Sequence, residues 1–420
     1  MAGVVVVDAS GDLVLRVADL VHDGKQAYTE YRVDATTLRS KSPYFKALLD
    51  PTSKFVEGSE VASKLAQLKL SYPAGIATAP ASVLPSVVIE DAGPFVVADS
   101  TASTTPVMTT FFNIVHGLIS PEEFGKETIE YAAYIVAVSD RFMAKEAIKD
   151  HMRALEPKKL LRTAPKTKAG QTNEWYWRQR IFIGYMMEFA SWVESYSRLL
   201  IDQGSELWST EENEVIEGHS LPWMHLPGGI EEELYHRRQC ILTTVGSLQE
   251  FFLAEYTSGK RQCRLGYDSS AACDSFQLGE MIRFFSRRDL LSLRSSIPGQ
   301  DYSAPYAGAL QELFKVLKQS RTYQLDSNHV HCGLRTAFIP RLEVIESIAT
   351  QSSKMGICLT CWNNDKSQYS WLENPMQGTL KFSELARRST SSSSSSSHRC
   401  SLNHAIPRRF FTAQAREWLS

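Results

Sequence analysis

The segment from Asp12 to Phe55 carries the clearest alternation of apolar and polar positions in the chain. Its first part, LVLRVA at 13–18, alternates with a period of two, which predicts a half-buried β-strand. The sequence HDGK at 22–25 is typical of a turn. YTEYRV at 28–33 is rich in aromatic and β-branched residues, so it predicts the returning strand.

Two short helices are predicted directly after this pair of strands. Asp34 is placed to cap the first helix, and Ser42 followed by Pro43 is a typical start for the second. The apolar run in MAGVVVVDAS predicts an extra strand, and SVVIE at 86–90 predicts another. Apolar residues at helical spacing predict further helices at 61–70, 106–118, 126–142, 144–155, 230–254, 278–293 and 306–317.

Changes in composition divide the chain into four parts. Residues 156–173 contain two prolines, a glycine and five basic residues, which favours a solvated linker. An almost unbroken serine run from Ser389 to Ser397 cannot bury a core. We therefore predict an α+β domain at 10–155, a basic linker at 156–173, a mainly α-helical domain at 174–375 and a disordered, serine-rich tail at 376–420.

The ordered set DLVL at 12–15, SPYFKALL at 42–49 and FVEG at 55–58 resembles the BTB/POZ domain, in the divergent form of large fungal families. The helical half contains phrases that resemble the second region of such proteins: GIEEELYHRRQCIL from Gly229, the Cys263–Cys273 spacing, HCGLR from His331 and GICLTCW from Gly356. The resemblance implies a small sheet with helical hairpins. The positions that define the fold, and that we expect at an interaction surface, are Leu13, Leu15, Phe45 and Phe55.

Composition and charge exclude several classes of function. The net charge of −2 gives no general attraction to nucleic acid or anionic membranes. The chain also contains no run of about 18 apolar residues, so a membrane span is not predicted. The seven cysteines, an odd number, favour reduced thiols in a cytoplasmic or nuclear protein. The chain lacks the glycine-rich phosphate-binding motifs, the nucleophile elbow of hydrolases and the HExxH motif.

One group of residues has the chemistry of a metal site. The C-x-x-C spacing of Cys358 and Cys361 lets two thiolates reach one tetrahedral Zn²⁺. The predicted ligand set is Cys273, Cys332, Cys358 and Cys361, with Cys263 and His331 as alternates. Three interpretations stay open, and the first two are structural zinc and ordinary buried or surface thiols, because free cysteines also fill cores. A redox role is the third, and the sequence requires no cofactor.

The resemblance implies a non-enzymatic protein–protein interaction module. BTB domains dimerise or serve as adaptors for cullin-type ubiquitin ligases, so we expect protein partners, a homodimer among them. Two alternatives stay open. One is a transcriptional regulator, favoured by the basic linker and the Ser/Arg tail, although no DNA-reading motif is present. The other is a zinc- or thiol-dependent enzyme, which would depend on Cys358 and Cys361.

Overall fold

A computed structural model describes residues 3–18, 27–73, 75–90, 105–155, 173–208, 221–265, 270–287, 306–321, 324–350, 355–382 and 404–418. The predicted turn at 22–25, most of the linker at 156–173 and the serine run lie outside these residues. The fold is mixed α/β, with a small sheet and a mostly helical body.

The chain divides into two compact units. The N-terminal unit comprises Met1–Phe189 and Asn213–Pro227, and the C-terminal unit comprises Ala190–Glu212 and Gly228–Ser420. This division by contacts falls after the linker that the composition indicates. We predicted that separate domains end at 155 and begin at 174, and these domain bounds stay predictions.

A four-stranded sheet forms the centre of the N-terminal unit. Its strands are β1 Val5–Val6, β2 Leu13–Ala18, β3 Tyr28–Val33 and β4 Ser86–Ile89, in the order β1-β3-β2-β4. β2 and β3 are antiparallel, as the alternation and the turn sequence predict, while β1 joins β3 and β4 joins β2 in parallel. The extra N-terminal strand and the strand predicted at 86–90 are both confirmed.

The prediction that β2 is half-buried is wrong. Every residue of β2 except Arg16 is buried. Val14, on the face expected to meet solvent, packs against Leu68, Ala79 and Leu84. The second face is covered because the segment at 68–84, between β3 and β4, packs over it, a long-range contact that a period of two does not encode.

Helices surround the sheet. They are α1 Ala35–Lys41, α2 Pro43–Leu48, α3 Val56–Ser71, α4 Thr105–Val115, α5 Pro121–Phe124, α6 Ile129–Arg141, α7 Lys145–Arg153 and α8 Asn173–Met186. Both predicted caps are present. Asp34 Oδ2 accepts a hydrogen bond from Thr37 N at 2.6 Å, and Ser42 Oγ accepts one from Phe45 N at 3.1 Å.

The C-terminal unit is organised around one long helix. Its helices are α9 Ala190–Gln203, α10 Ile230–Thr257, α11 Ser270–Ser286, α12 Leu310–Lys318, α13 Leu334–Thr350, α14 Leu359–Asn364, α15 Lys366–Tyr369 and α16 Ala405–Thr412. α10 packs against α9, α11, α13 and α16. The helix predicted at 230–254 is confirmed by α10, whereas α13 was not predicted.

The prediction of a disordered tail from 376 to 420 is wrong for the described residues at its two ends. β5 Thr379–Lys381 pairs in parallel with β6 Ala415–Glu417, and α16 precedes β6. Phe411 stacks on Trp371 with ring centroids 5.7 Å apart, and Trp418 is buried. The prediction extended the disorder expected for the serine run to its neighbours. It was wrong there because the apolar residues that follow the run, such as Phe411 and Trp418, pack into the core of the C-terminal unit.

A buried ion pair fixes the segments at 355–356 and 369–372 against α10. Arg237 Nε lies 2.7 Å from Glu233 Oε1, and its Nη1 donates to the carbonyls of Met355 and Gly356 at 3.0 and 3.1 Å. Glu233 in turn accepts hydrogen bonds from Ser370 Oγ at 2.6 Å and from the backbone N–H groups of 371 and 372. This network positions the residues that precede and follow the C-x-x-C motif.

Candidate metal centre

Four buried side chains with metal-binding atoms meet in the C-terminal unit: Cys263, Cys273, His329 and Cys332. We call them the Cys3His group. Cys263 lies after the end of α10, and Cys273 is in the first turn of α11. His329 ends a short 3-10 helix at Ser327–His329, and Cys332 lies just before α13. Three separate parts of the chain therefore build the group, because His329 and Cys332 lie in the same turn.

Two distances within the Cys3His group match the edges of a tetrahedral zinc site. Cys263 Sγ lies 3.8 Å from Cys332 Sγ and 3.5 Å from His329 Nδ1. Zinc bonds of about 2.3 Å to sulfur and about 2.0 Å to nitrogen give tetrahedral edges of about 3.8 Å for S···S and about 3.6 Å for S···N. All four ligand atoms lie within 4.8 Å of one another. The group can hold one tetrahedral metal ion.

The local backbone explains how His329 and Cys332 face one point. Asp326 begins the 3-10 turn by accepting a hydrogen bond from Asn328 N at 2.8 Å. The turn continues because Cys332 N donates to His329 O at 3.1 Å. The two side chains, three positions apart on such a turn, therefore point the same way. Asp326 Oδ2 also lies 3.8 Å from His329 Nε2, on the side of the ring opposite the thiols. Metal-bound histidines donate their second ring N–H to a carboxylate, and Asp326 would fill this role if it moved within hydrogen-bonding distance.

Burial favours the protonated form of the Cys273 thiol. Burial raises the pKa of the Cys273 thiol well above its ordinary value, and the neighbouring Cys332 and Cys263 groups raise it further. In the absence of a metal the thiol of Cys273 is therefore neutral at pH 7. A metal ion must displace this proton when it binds, because the thiolate is the ligand.

A second group consists of Cys358, Cys361 and His404, whose ligand atoms also lie within 4.8 Å of one another. Cys358 is buried, while the other two are half-buried. Cys358 precedes α14 and Cys361 is in its first turn. The C-x-x-C motif therefore does bring its two thiols together, with a histidine from a distant part of the chain.

The structure divides the predicted ligand set between the two groups. Cys273 and Cys332 belong to the Cys3His group, and Cys358 and Cys361 belong to the second. The alternate Cys263 joins the Cys3His group, whereas the alternate His331 is exposed and belongs to neither. His329 takes its place. The H-x-x-C spacing of 329 and 332 is the sequence signal for this ligand, equivalent to a C-x-x-C knuckle with one histidine.

The residues predicted at an interaction surface have different environments. Leu13, Leu15 and Phe45 are fully buried, so they form the core of the N-terminal unit. Phe55 is 51% exposed and its neighbour Val56 is 64% exposed, at the start of α3. Of the four residues, Phe55 is therefore the one that offers apolar surface to a partner without a change of fold.

Within the described part of the chain, no helix combines the length and the apolar character needed to cross a bilayer. Comparison with protein-family models, with curated proteins and with solved structures finds no match.

Proposed function

We propose that this chain is a non-enzymatic protein that acts by binding other proteins, and that a zinc ion in the Cys3His group stabilises its C-terminal unit. The observation that carries the proposal is the closed set of four buried protein donors. Structural zinc sites use four protein ligands, whereas catalytic sites keep one position for water or substrate. This centre therefore favours a structural role over catalysis, and zinc-bound thiols suit a reducing cytoplasmic or nuclear environment.

Metal analysis of the full chain tests the zinc part of the proposal. Cys332→Ser and Cys273→Ser each remove a donor from the Cys3His group, so each variant should lose the zinc ion that this group binds. Cys240→Ser is the matched control, because Cys240 is a half-buried free cysteine that belongs to neither group. If Cys332→Ser and Cys240→Ser retain the same amount of zinc, the proposal fails.

Chelation should also loosen the helices that supply the ligands. Structural zinc contributes its binding free energy to folding. We expect faster hydrogen exchange in α11 and in the segment at 324–334 after zinc removal, with little change in β2 and β3 of the N-terminal unit. Equal exchange in both states would show that the metal does not hold this part of the fold.

The partner-binding part of the proposal rests on the N-terminal unit. Its sheet flanked by capped helices is compatible with the BTB/POZ resemblance of the sequence. Phe55 and Val56 add an exposed apolar pair at the start of α3. We propose that this unit dimerises or binds a protein such as a cullin-type ubiquitin ligase subunit through a surface that includes this pair.

Two measurements on the full chain test this surface. Light scattering after size-exclusion chromatography reports the oligomeric state, and affinity purification with mass spectrometry reports other partners. Phe55→Ser with Val56→Ser should weaken the complex, whereas Leu70→Ser should not, although Leu70 is 86% exposed on the same helix. If neither assay detects a complex with the unaltered chain, or if the Phe55 and Val56 variant binds as well as the unaltered chain, the proposed surface is wrong.

A further inference from the structure

The second group lies outside the Cys3His group and has no part in the function proposed above. Its C-x-x-C motif is held by the turn that begins α14. Cys358 O accepts a hydrogen bond from Trp362 N at 2.9 Å, and Cys361 O accepts one from Asp365 N at 3.1 Å. Tyr369 Oη also accepts a hydrogen bond from Cys358 N at 2.8 Å. The backbone that carries both thiols is therefore fixed from both sides.

The third member is held in place by the ordered segment that follows the serine run. His404 immediately precedes α16, and its ring meets the Tyr369 ring edge-on, with centroids 5.2 Å apart. α16 is anchored where Thr412 Oγ1 accepts a hydrogen bond from Met376 N at 2.8 Å. Tyr369 thus contacts both Cys358 and His404, and these contacts fix the position of the histidine relative to the cysteines.

We infer that Cys358, Cys361 and His404 bind a second zinc ion, with the fourth coordination position open to solvent. The donor atoms lie within 4.8 Å of one another, and a bound zinc ion would hold them at tetrahedral edges of about 3.6–3.8 Å. Two thiolates, one neutral imidazole and Zn²⁺ carry no net charge, which suits a half-buried place. Cys361 and His404 are half-buried, so the remaining position faces water.

This site would differ in kind from the Cys3His group. Four buried protein donors close the first centre, while three donors leave the second centre open to an added ligand. The ion would also join α14 to the segment that begins at His404, so its occupancy would control how firmly the C-terminal segment is held. The main rival is a Cys358–Cys361 disulfide without metal, in which His404 would only pack against Tyr369.

Zinc content of the full chain, purified in a reducing buffer and measured by mass spectrometry, tests the inference. The unaltered chain and the Cys240→Ser control should hold two equivalents, one for each group. Cys361→Ser and His404→Gln should each hold one, Cys332→Ser should hold one, and Cys332→Ser with Cys361→Ser should hold none. The inference is overturned if His404→Gln keeps both equivalents, or if the unaltered chain holds a single ion that Cys332→Ser removes.

Cobalt substitution gives a readout that does not depend on the stability of one variant. In Cys332→Ser the remaining cobalt ion should show the absorption of a site with two thiolates, and added imidazole should shift that spectrum by entering the open position. In Cys361→Ser the remaining ion belongs to the closed Cys3His group, so imidazole should leave its spectrum unchanged. The inference is also overturned if imidazole has no effect on Cys332→Ser. If Cys332→Ser keeps as much zinc as the unaltered chain while Cys361→Ser and His404→Gln each lose an ion, the proposed structural site is contradicted without affecting this one.

Discussion

Replacing Arg237 with methionine should destabilise the C-terminal unit by about 3–5 kcal/mol, the usual cost of removing one member of a buried ion pair. Arg237 is 0% exposed and Glu233 is 1% exposed, so the carboxylate would stay buried without its partner charge. The carbonyls of Met355 and Gly356 would lose a charged donor as well. The guanidinium also lies 5.0 Å from the ring centres of Tyr369 and Trp371, and both contacts would be lost.

Hydrogen exchange of backbone amides in α10 is the appropriate assay, because it reports the free energy of opening for this unit alone. Since each 1.36 kcal/mol corresponds to a factor of ten, we expect the exchange of the most protected amides to accelerate by about 150-fold to 5,000-fold. Amides of β2 and β3 in the N-terminal unit provide an internal reference that should not change.

Two further variants separate the buried pair from a general effect of charge. Lys315→Met removes a similar helical pair, but Lys315 and Glu312 are 66% and 61% exposed, so we expect a change of about 0.5 kcal/mol or less, about twofold in exchange. Arg237→Lys keeps the charge and loses the planar fork that reaches both carbonyls, so its effect should be intermediate. An acceleration below about tenfold in Arg237→Met would refute the reasoning from burial.

Three more predictions follow from the described contacts. Zinc affinity of the Cys3His group should rise about tenfold per pH unit for each thiol that loses a proton on binding, because burial raises the pKa of Cys273 in the metal-free chain. Competition with a chelator from pH 6 to 8 measures this affinity, and an affinity that does not change with pH contradicts the prediction. Burial disfavours the charge of Glu233, but Arg237 and the hydrogen bonds to Glu233 outweigh burial and lower its folded pKa. The resulting stability is therefore present above the ordinary value of about 4.5 and lost as the pH falls through the lower folded pKa, and Glu233→Gln should remove this acid sensitivity in urea titrations. Ser42→Ala should cost the N-terminal unit about 1–3 kcal/mol in thermal unfolding, since Ser42 caps α2 and its hydroxyl donates to Phe142 O at 2.5 Å; an unchanged melting temperature would show that neither bond contributes.

Local features of the fold could be predicted from the sequence because they depend on residues a few positions apart. The caps at Asp34 and Ser42 each use a side chain and an N–H three residues later, and both are present. α10 was predicted from its apolar spacing within a single stretch of chain. In contrast, the parallel pairing of β4 with β2, and the burial of both faces of β2, depend on segments that are far apart in the sequence.

The candidate metal sites show the same division. Two local pairs are set by the sequence, H-x-x-C at 329–332 and C-x-x-C at 358–361, because one turn of backbone fixes the spacing of their donors; only the second pair was predicted as ligands, since His331 was expected in place of His329. Only the tertiary structure decided that the first pair meets Cys263 and Cys273 and that the second meets His404. Those meetings follow from how α10, α11, α13 and α16 bury their apolar faces against one another, and this packing is a property of the whole core that no short stretch of sequence contains.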